Sequence, residues 1–251
     1  MYKHASSLLV LWLYFLASHC IGQEITFDDN LYKQHFKTKE EILDYLSGKT
    51  IKTKRLSISF TTEKDIDQLA PYFLDEPYLR MYNMFSVWPK NIQEAKEHLQ
   101  KHNTNDLRKC FFTIKLEDKC IGQLGFSFST PRKLWVCYWL AKKHQRQRYM
   151  SEICLPMVKF FFETCEEFSM LHISVHKDNT PSKKLAQKIC SFITQNLDYA
   201  SSVSESRVSG KSGDTSVIFT TINYFLQKKS TEPKHQNAEQ TTICQRLCFC
   251  C

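Results

Sequence analysis

The chain has 251 residues, of which 42% are hydrophobic and 13% aromatic, so it can bury a substantial core and is not globally disordered. Its formal net charge of +8 suits an anionic ligand or surface, although the basic residues are spread along the chain. No arginine-rich block, zinc-finger spacing or RNA-binding aromatic motif occurs in it, so nucleic acid is not expected as a partner.

The first 22 residues have the form of a signal peptide. No Asp, Glu, Lys or Arg lies between Lys3 and Glu24, and the apolar residues 8–17 precede small residues at cleavage spacing. A short signal anchor or a buried N-terminal segment are the alternatives, because the apolar stretch is shorter than the roughly 20 residues of a spanning helix. We expect a secretory-pathway or membrane-associated protein if the segment is genuine, and a cytoplasmic one otherwise.

The next segments alternate helical and extended patterns. Residues 23–51 are predicted to form a helical extension, with a capping box at Thr38–Glu41. A strand is predicted over residues 53–60, and a helix follows from Thr62. Trp88 and Pro89 then precede a further predicted helix over residues 92–102.

The second half begins with a predicted hairpin. Its strands cover residues 110–116 and 120–128, joined by a turn at 117–119. Another strand is predicted at 134–140, a long helix at 151–168, a strand at 171–176, a helix from Pro181 to about Ser191, and a closing strand at 214–225. This order predicts an α/β fold around one mixed twisted sheet flanked by helices.

The turn between residues 140 and 151 has the character of a phosphate site. It lies between a strand and a helix, and the first backbone N–H groups of a helix attract anions. Arg146 and Arg148 add positive charge there, although a solvated basic turn is the simpler alternative. Downstream, Asn179-Thr180-Pro181-Ser182 begins a helix by itself as an N-cap and turn.

Together these segments resemble the GNAT N-acetyltransferases over residues 52–226, and in particular their Rim-type subgroup. The similarity lies in T-x-R-L followed by T-x-x-D, in the Ile121-Gly122 hairpin strand, in Gln145 of the Q/R-x-x-G-x-G/A turn, and in Asn179 and Ser182 of N-x-x-S. The coenzyme motif is degenerate. Three positions that are small residues in the family carry Arg146, Arg148 and Met150.

Other positions also depart from the family pattern. Trp135 and Cys137 stand where the family strand has Glu and Gly, Ala186 where a general-acid tyrosine is often found, and Cys190 where a late Gly is expected.

The resemblance implies acetyl-CoA as co-substrate, an amine acceptor and a set of site residues. A backbone N–H within residues 138–141 would polarise the thioester. Asn179 and Ser182 would hold the pantetheine arm and help the leaving thiolate, while Glu76, Tyr78 and Tyr138 are the candidate general bases. The coenzyme-binding set is Leu140, Gln145, Arg146, Gln147, Arg148, Tyr149, Met150, Ser151 and Asn179.

No metal site is expected in the body of the chain. Its cysteines have no paired C-x-x-C spacing and are interpreted as buried free thiols. His172 and His176 are four residues apart on a predicted strand, which puts them on the same face but far apart.

The tail over residues 227–251 is polar and ends in a cysteine-rich cluster, for which lipid attachment and soft-metal binding are the alternatives. The resulting hypothesis is an acetyl-CoA-dependent N-acetyltransferase acting on a primary amine, a protein N-terminus or a small amine. The alternative is a catalytically degenerate GNAT-like module that binds a coenzyme or partner, tethered to a membrane through one of its ends.

Overall fold

The computed structural model describes residues 23–27, 29–75, 88–102, 109–130, 132–212 and 215–229. The signal-like segment 1–22, the candidate bases Glu76 and Tyr78, and the cysteine-rich end of the tail lie outside these ranges. Within them, no helix combines the length and apolarity that crossing a membrane requires.

The described residues form helices around one sheet. The helices are α1 (Asp29–Tyr32), α2 (Lys39–Leu46), α3 (Glu63–Asp75), α4 (Ile92–His102), α5 (Tyr149–Thr164) and α6 (Thr180–Asn196), and Lys142–His144 form a 3-10 turn. The strands are β1 (Gln23–Thr26), β2 (Lys49–Lys52), β3 (Ser57–Phe60), β4 (Lys109–Leu116), β5 (Lys119–Thr130), β6 (Lys133–Leu140), β7 (Met170–His176), β8 (Tyr199–Ser212) and β9 (Thr215–Lys228).

The sheet confirms the predicted mixed α/β architecture. Its strand order is β1-β2-β3-β4-β5-β6-β7-β9-β8. The pairs β1–β2 and β6–β7 are parallel, and the other neighbours are antiparallel.

The sequence predicts a helical N-terminal extension. The extension is only partly helical, because it also contributes strands β1 and β2 to the sheet. The N-cap half of the predicted capping box is present, since the Thr38 side chain accepts from the Glu41 N–H, whereas the Glu41 carboxylate accepts from the Lys37 N–H. The extension also reaches the end of α5, where the Phe36 N–H donates to the Thr164 carbonyl and the Glu166 N–H donates to the Phe36 carbonyl.

The strand predicted over residues 53–60 is wrong in its first half. Thr53 N–H donates to the Leu56 carbonyl at 2.8 Å, which closes a turn between β2 and β3. Only Ser57–Phe60 is extended in the sheet, because the Thr53 hydroxyl also accepts from the Leu56 N–H and holds the turn.

The long elements differ from their predicted limits mainly at their ends. Helix α5 begins at Tyr149, two residues early, and ends at Thr164, while α6 continues to Asn196. Cys190, which replaces the late Gly of the family, lies inside this helix. Strand β8, which the sequence pattern did not predict, pairs along its whole length with β9.

Two apolar clusters pack on the two sides of the sheet. The larger contains α5, α6 and the buried Leu171, Ile173 and Val175 of β7. The smaller contains α3, α4 and Trp139 of β6. Because side chains alternate along a strand, Trp135 shares the face of β6 on which Trp139 packs against α3 and α4, and Tyr138 points to the other face, toward α6.

The body cysteines confirm the interpretation as free thiols. Those at positions 110, 120, 137, 154, 165 and 190 are all buried and unbridged. Burial raises the pKa of Cys165 and Cys190 to about 11, so these thiols stay protonated at neutral pH and are unreactive.

Candidate active site

Strands β6 and β7 separate before either of them ends. Their parallel ladder has its last residue pair at Trp135 and His172, although β6 continues to Leu140 and β7 to His176. The resulting opening lies at the carboxyl ends of two parallel strands, which lead into α5 and α6. This is the edge of an α/β sheet at which ligands bind.

Alternate backbone N–H groups of β6 point toward this opening. Ala141 N–H donates to the Ile121 carbonyl of β5 at 2.8 Å. Because strand N–H groups alternate in direction, those of Tyr138 and Leu140 point to the side where β7 diverges. The Gln145 side chain donates to the Leu140 carbonyl at 3.1 Å, which joins the end of β6 to the turn that follows.

The turn before α5 has left-handed backbone at two arginines. Arg146 has φ 61° and Arg148 has φ 65°, a region that non-glycine residues enter only at a cost of about 1–2 kcal/mol each. Arg148 is the N-cap of α5 and gives it no side-chain cap. The turn therefore has a glycine-like backbone despite having no glycine.

The side chains of this turn divide into an outer and an inner group. Arg146, Gln147 and Arg148 are exposed, whereas Tyr149 and Met150 are buried in the core. Of the predicted coenzyme-binding residues, Tyr149 and Met150 can therefore offer a ligand their backbone N–H groups but not their side chains. Both arginine side chains extend into solvent and make no ion pair with any described residue.

Arg55, which no sequence pattern singles out for the site, fixes the coenzyme turn from the loop between β2 and β3. Its Nη2 donates to the Gln147 carbonyl at 3.0 Å and lies 2.6 Å from the Glu152 carboxylate. Its guanidinium also lies 4.4 Å from the centre of the Tyr149 ring. The T-x-R-L motif was the available signal, but no sequence spacing connects it to residue 147.

Glu152 is the acceptor that holds Arg55 in place, and the contacts of Arg55 with Gln147, Tyr149 and Glu152 are called the Arg55 clamp below. Its carboxylate accepts hydrogen bonds from Thr53 Oγ1 and from both the backbone N–H and Nε of Arg55. Burial alone would raise the pKa of Glu152, but these hydrogen bonds and the Arg55 charge outweigh it and lower the pKa below its ordinary value. The carboxylate is thus ionised at neutral pH and holds Arg55 against the turn.

At the end of β7, the structure brings together three of the predicted catalytic residues. Asn179 caps α6, because its Oδ1 accepts from the Ser182 N–H at 3.1 Å. The Ser182 hydroxyl lies 2.8 Å from the Tyr138 hydroxyl. All three residues are buried, and they join the end of β7 to β6 beside the opening.

His172 and Trp135 lie on the other face of the sheet, at the base of the opening. Their rings are in contact, with centroids 3.7 Å apart. His172 Nε2 lies 3.1 Å from Asn223 Oδ1, so an N–H at Nε2 would donate to that oxygen and leave Nδ1 as an acceptor. Neither His172 Nδ1 nor Trp135 Nε1 has a hydrogen-bond partner within the described residues, and both are buried.

The described residues contain no group of three or more His, Cys, Asp or Glu side chains that could hold a metal ion. His172 and His176 do share a face of β7, and His172 is bonded to Asn223 rather than to a second ligand. The remaining predicted residue, Ser151, lies in the first turn of α5 and is half-buried.

A family model described as an acetyltransferase (GNAT) domain matches residues 55–189, which is more than half of the chain. The chain belongs to the GNAT acetyltransferases. No curated protein matches it significantly.

Solved structures of other acetyltransferases have the same fold as this GNAT domain. RimL, a ribosomal-protein alpha-N-acetyltransferase in complex with coenzyme A, is 15% identical with a TM-score of 0.53, covering 70% of this chain and 96% of its own. The microcin self-immunity acetyltransferase MccE, in complex with acetyl-CoA and AMP, is 13% identical with a TM-score of 0.55, covering 69% and 92%. A putative ribosomal-protein-serine acetyltransferase from Vibrio cholerae is 20% identical with a TM-score of 0.52, covering 71% and 97%.

The Arg55 clamp predicts a loss of coenzyme binding when it is removed from this GNAT domain. Arg55→Ala should weaken acetyl-CoA binding by about 1–3 kcal/mol, because the turn loses a charged hydrogen bond to the Gln147 carbonyl. Stability should change by only about 1 kcal/mol or less, since the ion pair is partly exposed. Calorimetric titration and urea unfolding of the same variant measure the two effects.

Two further variants serve as controls for Arg55. Arg55→Lys keeps the charge but loses the planar fork that reaches two acceptors, so it should bind between the parent and Arg55→Ala. Lys52→Ala removes an exposed surface ion pair with Glu24 and should bind like the parent. Equal binding by Arg55→Ala and the parent would show that the clamp does not position the coenzyme turn.

His172 predicts a pH dependence of stability. Burial, aided by the Lys133 charge, lowers the pKa of His172 to about 4 and outweighs the Asn223 hydrogen bond, which raises it. The unfolded chain takes up this proton near pH 6.5, whereas the folded chain does so only near pH 4. The free energy of unfolding should therefore fall by about 1.4 kcal/mol per pH unit as the pH is lowered from 6.5 to 4, and by about 3 kcal/mol in total.

The test compares urea unfolding across that pH range in three proteins. His172→Phe keeps a ring between Trp135 and Phe225 and should have a shallower slope than the parent. The exposed His35, replaced by Gln, should keep the parent's slope. Parallel slopes for the parent and His172→Phe would mean that His172 titrates normally in the folded protein.

Proposed function

We propose that this GNAT domain transfers the acetyl group of acetyl-CoA to a primary amine, either a protein N-terminus or a small amine. The observation that carries the proposal is the opening between β6 and β7, with a basic turn at one strand end and Asn179 and Ser182 at the other. An anionic, extended thioester fits this arrangement, because its phosphates need cations and helix N–H groups while its arm needs strand-like partners.

The reaction is a direct displacement. The neutral amine nitrogen attacks the thioester carbon, the new C–N bond forms, and the C–S bond breaks. The amine gives up one proton, and the departing thiolate takes one. The chain must therefore bind the coenzyme, polarise the carbonyl and help both proton movements.

Each task has a group beside the opening. Arg146, Arg148 and the first N–H groups of α5 would bind the pyrophosphate. A backbone N–H at Tyr138 or Leu140 would polarise the thioester oxygen. Tyr138 and Ser182, which share a hydrogen bond, would then assist the leaving thiolate together with Asn179.

We propose Glu76 or Tyr78 as the general base, and both residues lie outside the described ranges. Tyr138, the third candidate, faces α6 and Ser182, and this orientation favours its action on the thiolate instead. Support for an amine acceptor comes from RimL and the Vibrio cholerae protein, whose names specify acetylation of ribosomal proteins.

Two measurements on the full-length protein test the proposal. Calorimetric titration with acetyl-CoA should show saturable binding, and an assay of free thiol release should show transfer to members of a panel of peptides and polyamines. Binding without transfer to any acceptor would support the degenerate coenzyme-binding alternative. Absence of acetyl-CoA binding would exclude acetyl transfer and coenzyme binding, and would leave the degenerate partner-binding module as the alternative.

Asn179→Asp separates the chemistry from the fold. Aspartate caps a helix as well as asparagine does, so the fold should be kept, while the carboxylate buried in place of the Asn179 amide should lower the melting temperature somewhat. The transfer rate should fall, because a carboxylate beside the developing thiolate repels it and offers no donor. An unchanged rate would remove Asn179 from the site.

A further inference from the structure

Strand β8 forms an unusually long outer edge of the sheet. Among the described elements it pairs only with β9, through 14 consecutive residue pairs from Tyr199 to Ser212 without a register shift. The opposite edge, β1, has only 4 residues. A regular strand edge of this length presents a row of backbone groups on which another strand can pair.

The usual protections of a strand edge are missing from most of β8. Proteins block such edges with proline, charged side chains (lysine above all), bulges or short strands. Strand β8 contains no proline, and its one lysine is Lys211 near the tip. The side chains of residues 200–205 are exposed, including Val203 at 62%.

Two exposed charges of opposite sign lie at the middle of this edge. Glu205 and Arg207 are two residues apart, so they share one face of the strand. Ser206 between them faces the other side, where its hydroxyl accepts from the Asn223 amide at 2.8 Å. Neither Glu205 nor Arg207 makes an ion pair with any residue that the structure describes.

This pattern is complementary to itself. If two β8 strands lie antiparallel about a two-fold axis at Ser206, Glu205 of one copy lies directly opposite the partner's Arg207. The same pair occurs again on the other side of the axis. Opposite charges on directly facing residues stabilise an antiparallel pair, and like charges destabilise it.

We propose that two copies of this chain associate through their β8 strands, antiparallel and centred on Ser206, into one sheet that continues across both molecules. A second copy satisfies the edge with the same surface on both sides, as a two-fold dimer requires. The proposal concerns assembly and is independent of acetyl transfer, because β8 lies beyond β7 and β9 from the opening.

The experiment measures the molar mass of the full-length protein in reducing buffer, so that cysteines cannot join two chains. Sedimentation velocity over a concentration series gives the dimer dissociation constant. Glu205→Arg places two pairs of like charges at the centre, and Arg207→Glu does the same with the other sign. Each single variant should raise the dissociation constant about ten-fold or more, since two contacts change sign at once.

Two matched samples restore the charges without restoring the native residues. The double variant with Glu205→Arg and Arg207→Glu should dimerise like the parent. An equimolar mixture of the two single variants should form a heterodimer, because every Arg then faces a Glu. A circular dichroism spectrum of each variant checks that these exposed substitutions leave the fold intact.

A parent that remains monomeric throughout the concentration series would overturn the proposal. So would a dimer whose dissociation constant ignores both single variants, because another surface would then hold the two copies together. Weakening by both single variants without recovery in the double variant would place the axis elsewhere than Ser206 and overturn the stated register.

Discussion

Replacing Gly122 by alanine should destabilise the domain by about 3 kcal/mol or more, the upper range for overpacking. A Cβ at this position would collide with the Trp139 carbonyl oxygen and lie 2.9 Å from the Leu140 Cα. Both obstacles are backbone atoms of β6, which cannot rotate aside as a side chain can. The strand would have to move away from β5 immediately before the coenzyme turn.

Urea unfolding with a matched glycine variant tests this expectation. Gly48 has φ 70°, and no atom lies within 4 Å of the place that a Cβ would occupy there, so Gly48→Ala should cost only the backbone strain of about 1–2 kcal/mol. Gly122→Ala should also lose acetyl-CoA binding, whereas Gly48→Ala should keep it. Equal destabilisation by the two variants would mean that β5 and β6 approach each other less closely than the structure shows.

Removing both arginines of the turn should have the largest effect on the coenzyme. The double variant with Arg146→Ala and Arg148→Ala should weaken acetyl-CoA binding by about 2–4 kcal/mol if each guanidinium contacts phosphate. Alanine is as strained as arginine at a positive φ, so this variant removes charge and leaves the backbone strain unchanged. Calorimetric titration measures the difference.

Glycine at the same two positions separates charge from backbone strain. The family pattern favours glycine at both, so the double variant with Arg146→Gly and Arg148→Gly should bind more tightly than the alanine pair. It should also unfold at higher urea, because the relief of strain exceeds the added chain entropy of about 0.5–1 kcal/mol per glycine. Removing two exposed lysines of α6, with Lys184→Ala and Lys188→Ala, controls for net charge. Binding equal to the parent in both arginine variants would show that this turn is not the phosphate site.

The sequence was sufficient to predict the elements whose pattern is strong. The β4–β5 hairpin follows from two apolar runs around a short polar turn, where Glu117 and Asp118 adopt positive φ. Strand β8 could not be predicted in this way, because an exposed edge strand rich in serine has no alternation of apolar and polar residues. The turn at Thr53 was missed because its hydrogen bonds compete locally with the strand.

The candidate site was predictable where its residues are neighbours in the chain. The turn from Gln145 and the cap at Asn179 each lie within a few residues of their partners. Arg55 was not predictable, since Glu152 is 97 residues away. The buried hydrogen bond of His172 was not predictable either, because its partner Asn223 lies on another strand.

The extension before the family segment has a consequence for how the molecule folds. The family match begins at residue 55, but strands β1 and β2 and the Phe36 bridge at the end of α5 involve residues that precede it. The segment that the family model matches is therefore smaller than the packed sheet to which these residues belong. A fragment that begins after residue 52 would keep the whole family segment but lose β1, β2 and the Phe36 bridge, which are part of the structure that stabilises the sheet.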